Sequence, residues 1–178
     1  MPVEDIVDSV YGLLVRDVEA DEMSAAMGAA PGSGDNLSGL LFTGPGEIWV
    51  NAKEGKQWPG RRRFTISHEL GHWVLHNTAG QPMYCRTAEV DSGADTEPGV
   101  PPSNERGRAR RKVPLIESEA DVFAACMLMP AHLVQNHYEL CDGQIEQLMQ
   151  DFNASKKAME RRVRHVVLQD RRRPRRPF

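Results

Sequence analysis

Two histidines and a glutamate in one short segment are the residues of this chain best suited to metal chemistry. Residues 68 to 72 read His-Glu-Leu-Gly-His. Residues four apart in a helix lie about one turn apart on the same face, so His68 and His72 can reach a single tetrahedral ion. Glu69 projects from the same side, toward a water on that ion. This arrangement is typical of a zinc hydrolase in which the glutamate is the general base.

The residues around this motif predict a helix, which is the structure that places both histidines on one face. At about 100° per residue, the apolar and polar residues of segment 64–76 separate into two arcs. The apolar arc holds Leu70, Trp73 and Val74. We therefore predict an amphipathic helix with a polar, ligand-bearing face, although an ordinary surface helix with two histidines is the alternative. We interpret His76 as a helix-terminal histidine, because three ligands along one straight helix cannot converge on one ion.

A catalytic zinc needs a third protein ligand, and a second predicted helix after Pro114 supplies the candidate. Glu117 and Asp121 are four residues apart and share a face of that helix. Glu117 can bind the metal, while Asp121 can accept the remaining ring N–H of a metal-bound histidine and fix its tautomer. Glu119 lies about 200° from Glu117, so both cannot face the ion, and we interpret it as a solvated acid. The apolar residues expected to pack into the core are Leu115, Val122 and Phe123.

With both motifs, the chain resembles the ImmA/IrrE family of metallopeptidases. The matching segments are residues 46–51, 63–76 and 117–130, and the resemblance covers about residues 38 to 168. It implies that His68, His72 and Glu117 bind zinc and that Glu69 is the general base. It also implies an α+β fold, mostly helical and zincin-like, with a small curled β-sheet packed on the helix of the motif. The chain departs from the family in a long connection between the motifs, and in Asp121, where the family often has asparagine.

The function that the resemblance implies is an intracellular zinc-dependent endopeptidase. Its substrate would be a specific protein, such as a helix-turn-helix transcriptional repressor in a stress or mobile-element switch. Two other functions stay open: a zinc-containing binding module that sequesters a regulator without cutting it, and a DNA-binding regulator. Two histidines and a carboxylate also accept Mn²⁺ or Fe²⁺, so the residues do not fix the metal.

Length and composition predict a single metallopeptidase domain over residues 1–168, followed by a basic tail at 169–178. No run of about 18 apolar residues is present, which argues against a membrane partner. Residues 1–8 lack the pattern of a signal peptide. The three cysteines are an odd number without paired spacing, which indicates a reducing compartment and a cytoplasmic protein. We interpret Cys126 as a small core residue, and Cys85 is a disfavoured zinc ligand.

Charge is distributed unevenly along the chain. Residues 1–60 carry 3 basic and 10 acidic side chains, whereas residues 155–178 carry 10 basic and 2 acidic ones. The acidic first segment argues against a DNA-facing surface there. The arginine-rich tail is interpreted as disordered and solvated, with contact to nucleic acid or an acidic partner as the disfavoured alternative. The arginines at 61–63 are interpreted as a solvated start of the motif helix.

Four further segments carry structural predictions. Residues 4–22 have a helical spacing of apolar residues, and the runs 37–43 and 47–51 predict a two-stranded β unit around a turn. Segment 48–50 is either a sheet edge that takes substrate by strand addition or an internal core strand. Residues 86–112 predict a long flexible loop, which is either a lid or plain disorder. Residues 144–168 predict a pair of helices like a helix-turn-helix, with Ser155 as an N-cap and packing favoured over DNA reading.

Overall fold

The computed structural model describes residues 2–28, 37–76, 83–86 and 115–168. Predictions for residues 87–112, for the tail at 169–178 and for the side chain of Cys85 lie outside the described residues. The elements in chain order are α1 (Val3–Tyr11), β1 (Leu14–Val18), α2 (Ala20–Ala26), β2 (Leu37–Phe42), β3 (Glu47–Asn51), α3 (Ala52–Gln57), α4 (Pro59–His76), β4 (Met83–Arg86), α5 (Leu115–Leu128), α6 (Ala131–Leu140), α7 (Ile145–Phe152), α8 (Lys156–Val163) and a π-helical segment (Arg164–Leu168).

The fold is α+β, because most of these elements are helices and the strands form a small mixed sheet. The predicted combination of helices with a small sheet is therefore confirmed. Two compact units are present, one formed by Pro2–Ala124 and the other beginning at Ala125. Within the described part of the chain, no helix combines the length and the apolar character needed to cross a membrane.

The sheet of the first unit has the strand order β1-β3-β2-β4. β3 pairs with β1 in parallel and with β2 antiparallel, and β2 also pairs antiparallel with β4. The predicted β2–β3 unit is therefore confirmed, with Leu41 opposite Ile48. The interpretation of segment 48–50 as a sheet edge is wrong, because β3 lies between two other strands and buries Ile48 and Val50. Among the described strands, β1 and β4 form the edges.

The helix predicted for residues 4–22 is wrong beyond its first half. Gly12 takes a left-handed conformation, with φ of 65°, and its N–H donates to the carbonyl of Asp8 over 2.8 Å, which ends α1. The chain then continues as β1, pairing with β3, before α2 begins. Apolar spacing alone could not show this break, because the pattern continues through the glycine that ends the helix.

Asn51 joins the sheet to the helices that follow it. Its side-chain oxygen accepts hydrogen bonds from the backbone N–H groups of Lys53 and Glu54, at 3.1 and 3.2 Å, which caps α3. Its side-chain amide donates to the carbonyl of Leu37 over 3.1 Å. Glu54 then accepts a hydrogen bond of 2.6 Å from Ser38 in β2. These contacts fix where the chain leaves the sheet and enters α3.

The arginines at 61–63 lie inside α4, which begins earlier than predicted, at Pro59. Arg62 donates to both carboxylate oxygens of Asp17, at 2.8 and 3.1 Å, and also to Glu4. Its interpretation as a solvated charge is wrong, because it joins α4 to β1 and α1. The hydrogen bond to Asp17 is the largest cause that raises the pKa of Arg62, and Glu4 raises it further against the opposing effect of burial.

The second unit contains α6, α7, α8 and the π-helical segment, with Leu148, Met159 and Val163 buried. Ser155 accepts a hydrogen bond from the backbone N–H of Ala158 over 3.3 Å, which confirms the predicted cap. The basic residue Arg162 donates to a backbone carbonyl, at Met129, over 2.8 Å. Part of the positive charge of α8 therefore holds this unit together.

Cys126, at the start of this second unit, is exposed, so its interpretation as a core residue is wrong. Its neighbour two residues earlier, Ala124, is fully buried. A turn of helix rotates by about 100° per residue, so the two side chains point in nearly opposite directions.

Candidate metal centre

The centre of α4 buries its polar motif. Both histidines and the glutamate are buried, with His68 3% exposed and Glu69 and His72 0% exposed. Leu70 is also buried, as predicted, but Val74 is 41% exposed. The apolar and polar arcs therefore do not divide into an inner and an outer face, because the ligand-bearing side of α4 is itself covered.

The two histidines and Glu117 come together at one point. The Nε2 atoms of His68 and His72 lie 3.0 Å apart. The carboxylate oxygens of Glu117 lie 3.3 Å from Nε2 of His68 and 3.5 Å from Nε2 of His72. Among the described residues, these three form the group able to hold a metal ion. They are the three residues predicted as ligands.

These separations can be compared with the geometry of a tetrahedral zinc ion. Zinc–nitrogen and zinc–oxygen bonds of about 2.0–2.2 Å place neighbouring ligand atoms about 3.3 Å apart. The two Nε2 atoms lie 3.0 Å apart, and each lies 3.3 or 3.5 Å from a different oxygen of the Glu117 carboxylate. The donor set of two imidazoles and one carboxylate also matches that of a catalytic zinc site. The residues present therefore fit a metal ion in both geometry and chemistry.

Close packing between α4 and α5 brings Glu117 to the histidines. A Cβ atom at Gly71 would lie 3.2 Å from the Cα atom of Ala120 and 3.2 Å from Cδ1 of Phe123. Ala120 is fully buried, whereas Leu115 is 72% exposed. Val122 is also 59% exposed, so the expectation that Leu115 and Val122 pack into the core is wrong. Gly71 and Ala120 therefore let the two helix backbones approach closely, with the ring of Phe123 beside them.

Asp121 lies where the sequence predicted. Its Oδ1 atom is 3.0 Å from Nδ1 of His68, on the side of the ring opposite the metal-facing Nε2. A proton on Nδ1 leaves the Nε2 lone pair available for a metal ion. The spacing of Glu117 and Asp121 thus places one carboxylate on each nitrogen of the same imidazole.

Glu119 and His76 form a contact that the sequence analysis missed. His76 is the last residue of α4, as predicted, and its Nε2 atom lies 2.9 Å from Oε2 of Glu119. Its Nδ1 atom lies 3.2 Å from Nδ1 of His72. Glu119 is therefore not simply a solvated acid. The contact joins residues 43 positions apart on two helices, so the spacing within either helix gave no signal for it.

The carboxyl group of Glu117 is held in its ionised form. Burial acts to raise its pKa, but hydrogen bonds from His68 and His72, together with their charge, outweigh burial and lower the pKa to about 2. An ionised carboxylate is the form that binds a metal ion. Near neutral pH, Glu117 therefore carries no proton that a metal ion would have to displace.

Glu69 lies between α4 and the sheet. A Cβ atom at Gly39, in β2, would lie 2.9 Å from Oε1 of Glu69 and 2.5 Å from Cγ2 of Thr65. Glycine at this position in β2 therefore leaves the space that the Glu69 side chain occupies. The carboxylate therefore lies against β2.

No protein-family model matches the chain, and no curated protein is significantly similar to it. The resemblance to the ImmA/IrrE family therefore rests on the motif residues described above.

Proposed function

We propose that this chain is a zinc-dependent endopeptidase of the ImmA/IrrE type, with a zincin-like fold, acting on a protein in the cytoplasm. One observation carries the proposal. The Nε2 atoms of His68 and His72 lie 3.0 Å apart, and each lies within 3.5 Å of an oxygen of the Glu117 carboxylate, which is close to the spacing of ligand atoms around a tetrahedral zinc ion. The helix that supplies both histidines also supplies Glu69, which lies between them in the sequence and is buried.

The proposed reaction is hydrolysis of a peptide bond. A zinc ion held by the three ligands would polarise the scissile carbonyl and lower the pKa of a bound water to about 7. Glu69 accepts a proton from the attacking water and delivers it to the leaving amine. Asp121 keeps His68 in the tautomer that leaves Nε2 free for the metal. Mn²⁺ or Fe²⁺ suits the same donors, so the metal content of the purified protein has to be measured.

We propose β4 as the strand beside which the substrate binds. β4 is an edge strand among the described strands and pairs with β2, the strand that contacts Glu69 at Gly39. An extended peptide can add to such an edge through main-chain hydrogen bonds. This replaces segment 48–50, which lies inside the sheet. The proposed substrate is a specific regulator, such as a helix-turn-helix repressor.

The test compares new protein N-termini in cells that produce the wild type or Glu69→Gln. Zinc content is measured in both purified proteins. Glutamine keeps the shape of the side chain but cannot take a proton, so we expect equal zinc and products only with the wild type. Identical N-termini under several stresses, with equal zinc, would contradict the peptidase proposal.

A non-cleaving binding module is a second candidate, and the burial of the motif favours it. Glu69 is 0% exposed, so a water molecule and a substrate need access that this conformation does not provide. In that case the metal would hold α4 and α5 together while another surface binds a regulator. Restoration of the cellular function by Glu69→Gln would support the module. Zinc-independent, salt-sensitive DNA binding would instead support the DNA-binding regulator.

A further inference from the structure

His72 makes contacts through both of its ring nitrogens. Its Nε2 atom faces the group that could hold a metal, 3.5 Å from the Glu117 carboxylate. Its Nδ1 atom lies 3.2 Å from Nδ1 of His76, and Nε2 of His76 lies 2.9 Å from Oε2 of Glu119. Two successive contacts therefore run outward from the candidate metal ligand through an imidazole to a carboxylate.

Proton positions along these contacts follow from the role of His72. A metal ion on Nε2 leaves the ring proton on Nδ1, where it must donate. The Nδ1 atom of His76 must then accept, so the proton of His76 lies on its Nε2 atom. That N–H donates to Glu119, which as a carboxylate can only accept. A doubly protonated His76 would set two N–H groups against each other at the His72 contact. One arrangement of protons therefore satisfies both contacts.

The two candidate histidine ligands thus differ in the number of contacts that link each of them to a carboxylate. His68 donates directly to Asp121, whereas His72 reaches its carboxylate, Glu119, through one intervening imidazole. The side chain of His76 is 12% exposed, so its contact with His72 is largely shielded from water. Glu119 is 47% exposed, so it completes the chain at the surface.

We propose that His76 and Glu119 are positioning residues that hold His72 in the orientation and tautomer required for metal binding. The inference rests on the proposed metal centre, because it assigns a role to groups that contact a metal ligand. His76 acts on His72 directly, and Glu119 acts on it through His76.

The first test measures zinc affinity by chelator competition. Loss of a partner that orients a metal ligand typically costs about 10–100-fold in affinity, and we expect this from His76→Ala. Glu119→Ala should cost less, and Glu119→Gln less again because its carbonyl still accepts a hydrogen bond. The double variant should match His76→Ala, since the two residues act in series. Asp21→Asn, which removes an exposed carboxylate from α2, is the charge-matched control.

The second test follows the tautomer of His76 by ¹⁵N chemical shifts of the imidazole ring in the zinc-loaded protein. We expect the proton on Nε2 in the wild type and a mixture of tautomers in Glu119→Ala. A role limited to packing would leave these shifts unchanged. A proton on Nδ1 of His76 in the wild type would overturn the proposal.

A third variant separates failure of this inference from failure of the metal centre. If His72→Ala loses zinc while His76→Ala and Glu119→Ala keep wild-type affinity, the metal centre stands and the positioning role is wrong. If His72→Ala also keeps zinc with wild-type affinity, the metal centre itself is wrong. Thermal unfolding of each metal-free variant shows whether the variant is folded, and therefore whether a loss of zinc affinity is caused by unfolding.

Discussion

α4 buries charged and polar side chains of a kind that the described residues of α5 leave at the surface or half-buried. α4 encloses the two histidines and the glutamate of its motif, which are at most 3% exposed. α5 buries Ala120 and Ala124 completely, while Leu115 and Val122 are 72% and 59% exposed. In an ordinary pair of packed helices, the large apolar side chains would fill the contact and the charged ones would face water.

The close approach of α4 and α5, more than buried apolar area, is what brings Glu117 to the histidines. A Cβ atom at Gly71 would lie 3.2 Å from the backbone of Ala120. Larger residues at the contact would increase the distance between the helices, and Glu117 would no longer reach the histidines. A glycine also allows close approach on another side of α4, where Gly39 of β2 leaves room for the side chain of Glu69.

The largest expected effect comes from removing a proposed metal ligand on either helix. His72→Ala on α4 and Glu117→Ala on α5 should each lower zinc affinity by more than about 100-fold, the upper limit for loss of an outer hydrogen-bond partner. Val122→Ala is the matched control on α5, because that side chain is large and apolar yet exposed. Chelator competition measures all three. An effect of Val122→Ala equal to that of Glu117→Ala would show that the loss of affinity does not depend on the Glu117 carboxylate.

A methyl group at Gly39 tests whether β2 must leave space for α4. Gly39→Ala places its Cβ 2.5 Å from Cγ2 of Thr65 and 2.9 Å from Oε1 of Glu69. We expect a loss of about 1–3 kcal/mol in the free energy of unfolding, typical of an overpacked core. Urea unfolding measures this, with Gly44→Ala as the control because a Cβ there meets nothing within 4 Å.

The double variant Gly39→Ala/Thr65→Ser separates the two contacts. Serine lacks the methyl group at 2.5 Å, so much of the lost stability should return, while the contact with Glu69 persists. We therefore expect near-normal zinc content together with impairment of the proposed cleavage. Full recovery of cleavage would mean that Gly39 matters for packing with Thr65 and leaves Glu69 undisturbed.

Local patterns predicted much of the site but not its packing. The spacing in the His-Glu-x-x-His motif, and that of Glu117 and Asp121, depends on the geometry of single helices, so both could be read from the sequence. Exposure of Leu115 and Cys126 could not, because it depends on which side of α5 approaches its neighbours. The contact of His76 with Glu119 joins residues 43 positions apart, so no local rule connects them.

The sheet shows the same limit. The β2–β3 hairpin was predictable from two apolar runs and a turn, because its contacts are close in sequence. β1 was missed, since its pairing with β3 joins Leu14 to Glu47 and its residues continue the apolar spacing of α1. That long-range pairing also places β3 inside the sheet, which is why segment 48–50 could not be identified as internal from its own residues.

A smaller effect is expected from Gly71→Ala, which tests the α4–α5 approach directly. Alanine favours a helix over glycine by about 1 kcal/mol, whereas a Cβ held 3.2 Å from the backbone of Ala120 costs about 1–3 kcal/mol. The net loss of stability should be small, at about 0–2 kcal/mol. Zinc affinity should fall more clearly, because α5 carries Glu117. Gly71→Ala/Phe123→Leu should recover only part of the affinity, since the backbone contact at Ala120 persists. Unchanged affinity would mean that α5 need not approach so closely.

The smallest expected effect is on acid stability without metal. Burial acts to raise the pKa of Glu117, but the two histidines lower it from 4.5 to about 2. The unfolded state therefore binds more protons in this window, and the contribution of Glu117 to stability, complete above about pH 4.5, is lost as the pH falls toward 2. Thermal unfolding in EDTA should show the wild type losing more stability than Glu117→Gln between these pH values. Parallel curves would indicate that Glu117 meets the histidines only when a metal is bound, so that the ion itself would draw α5 onto α4.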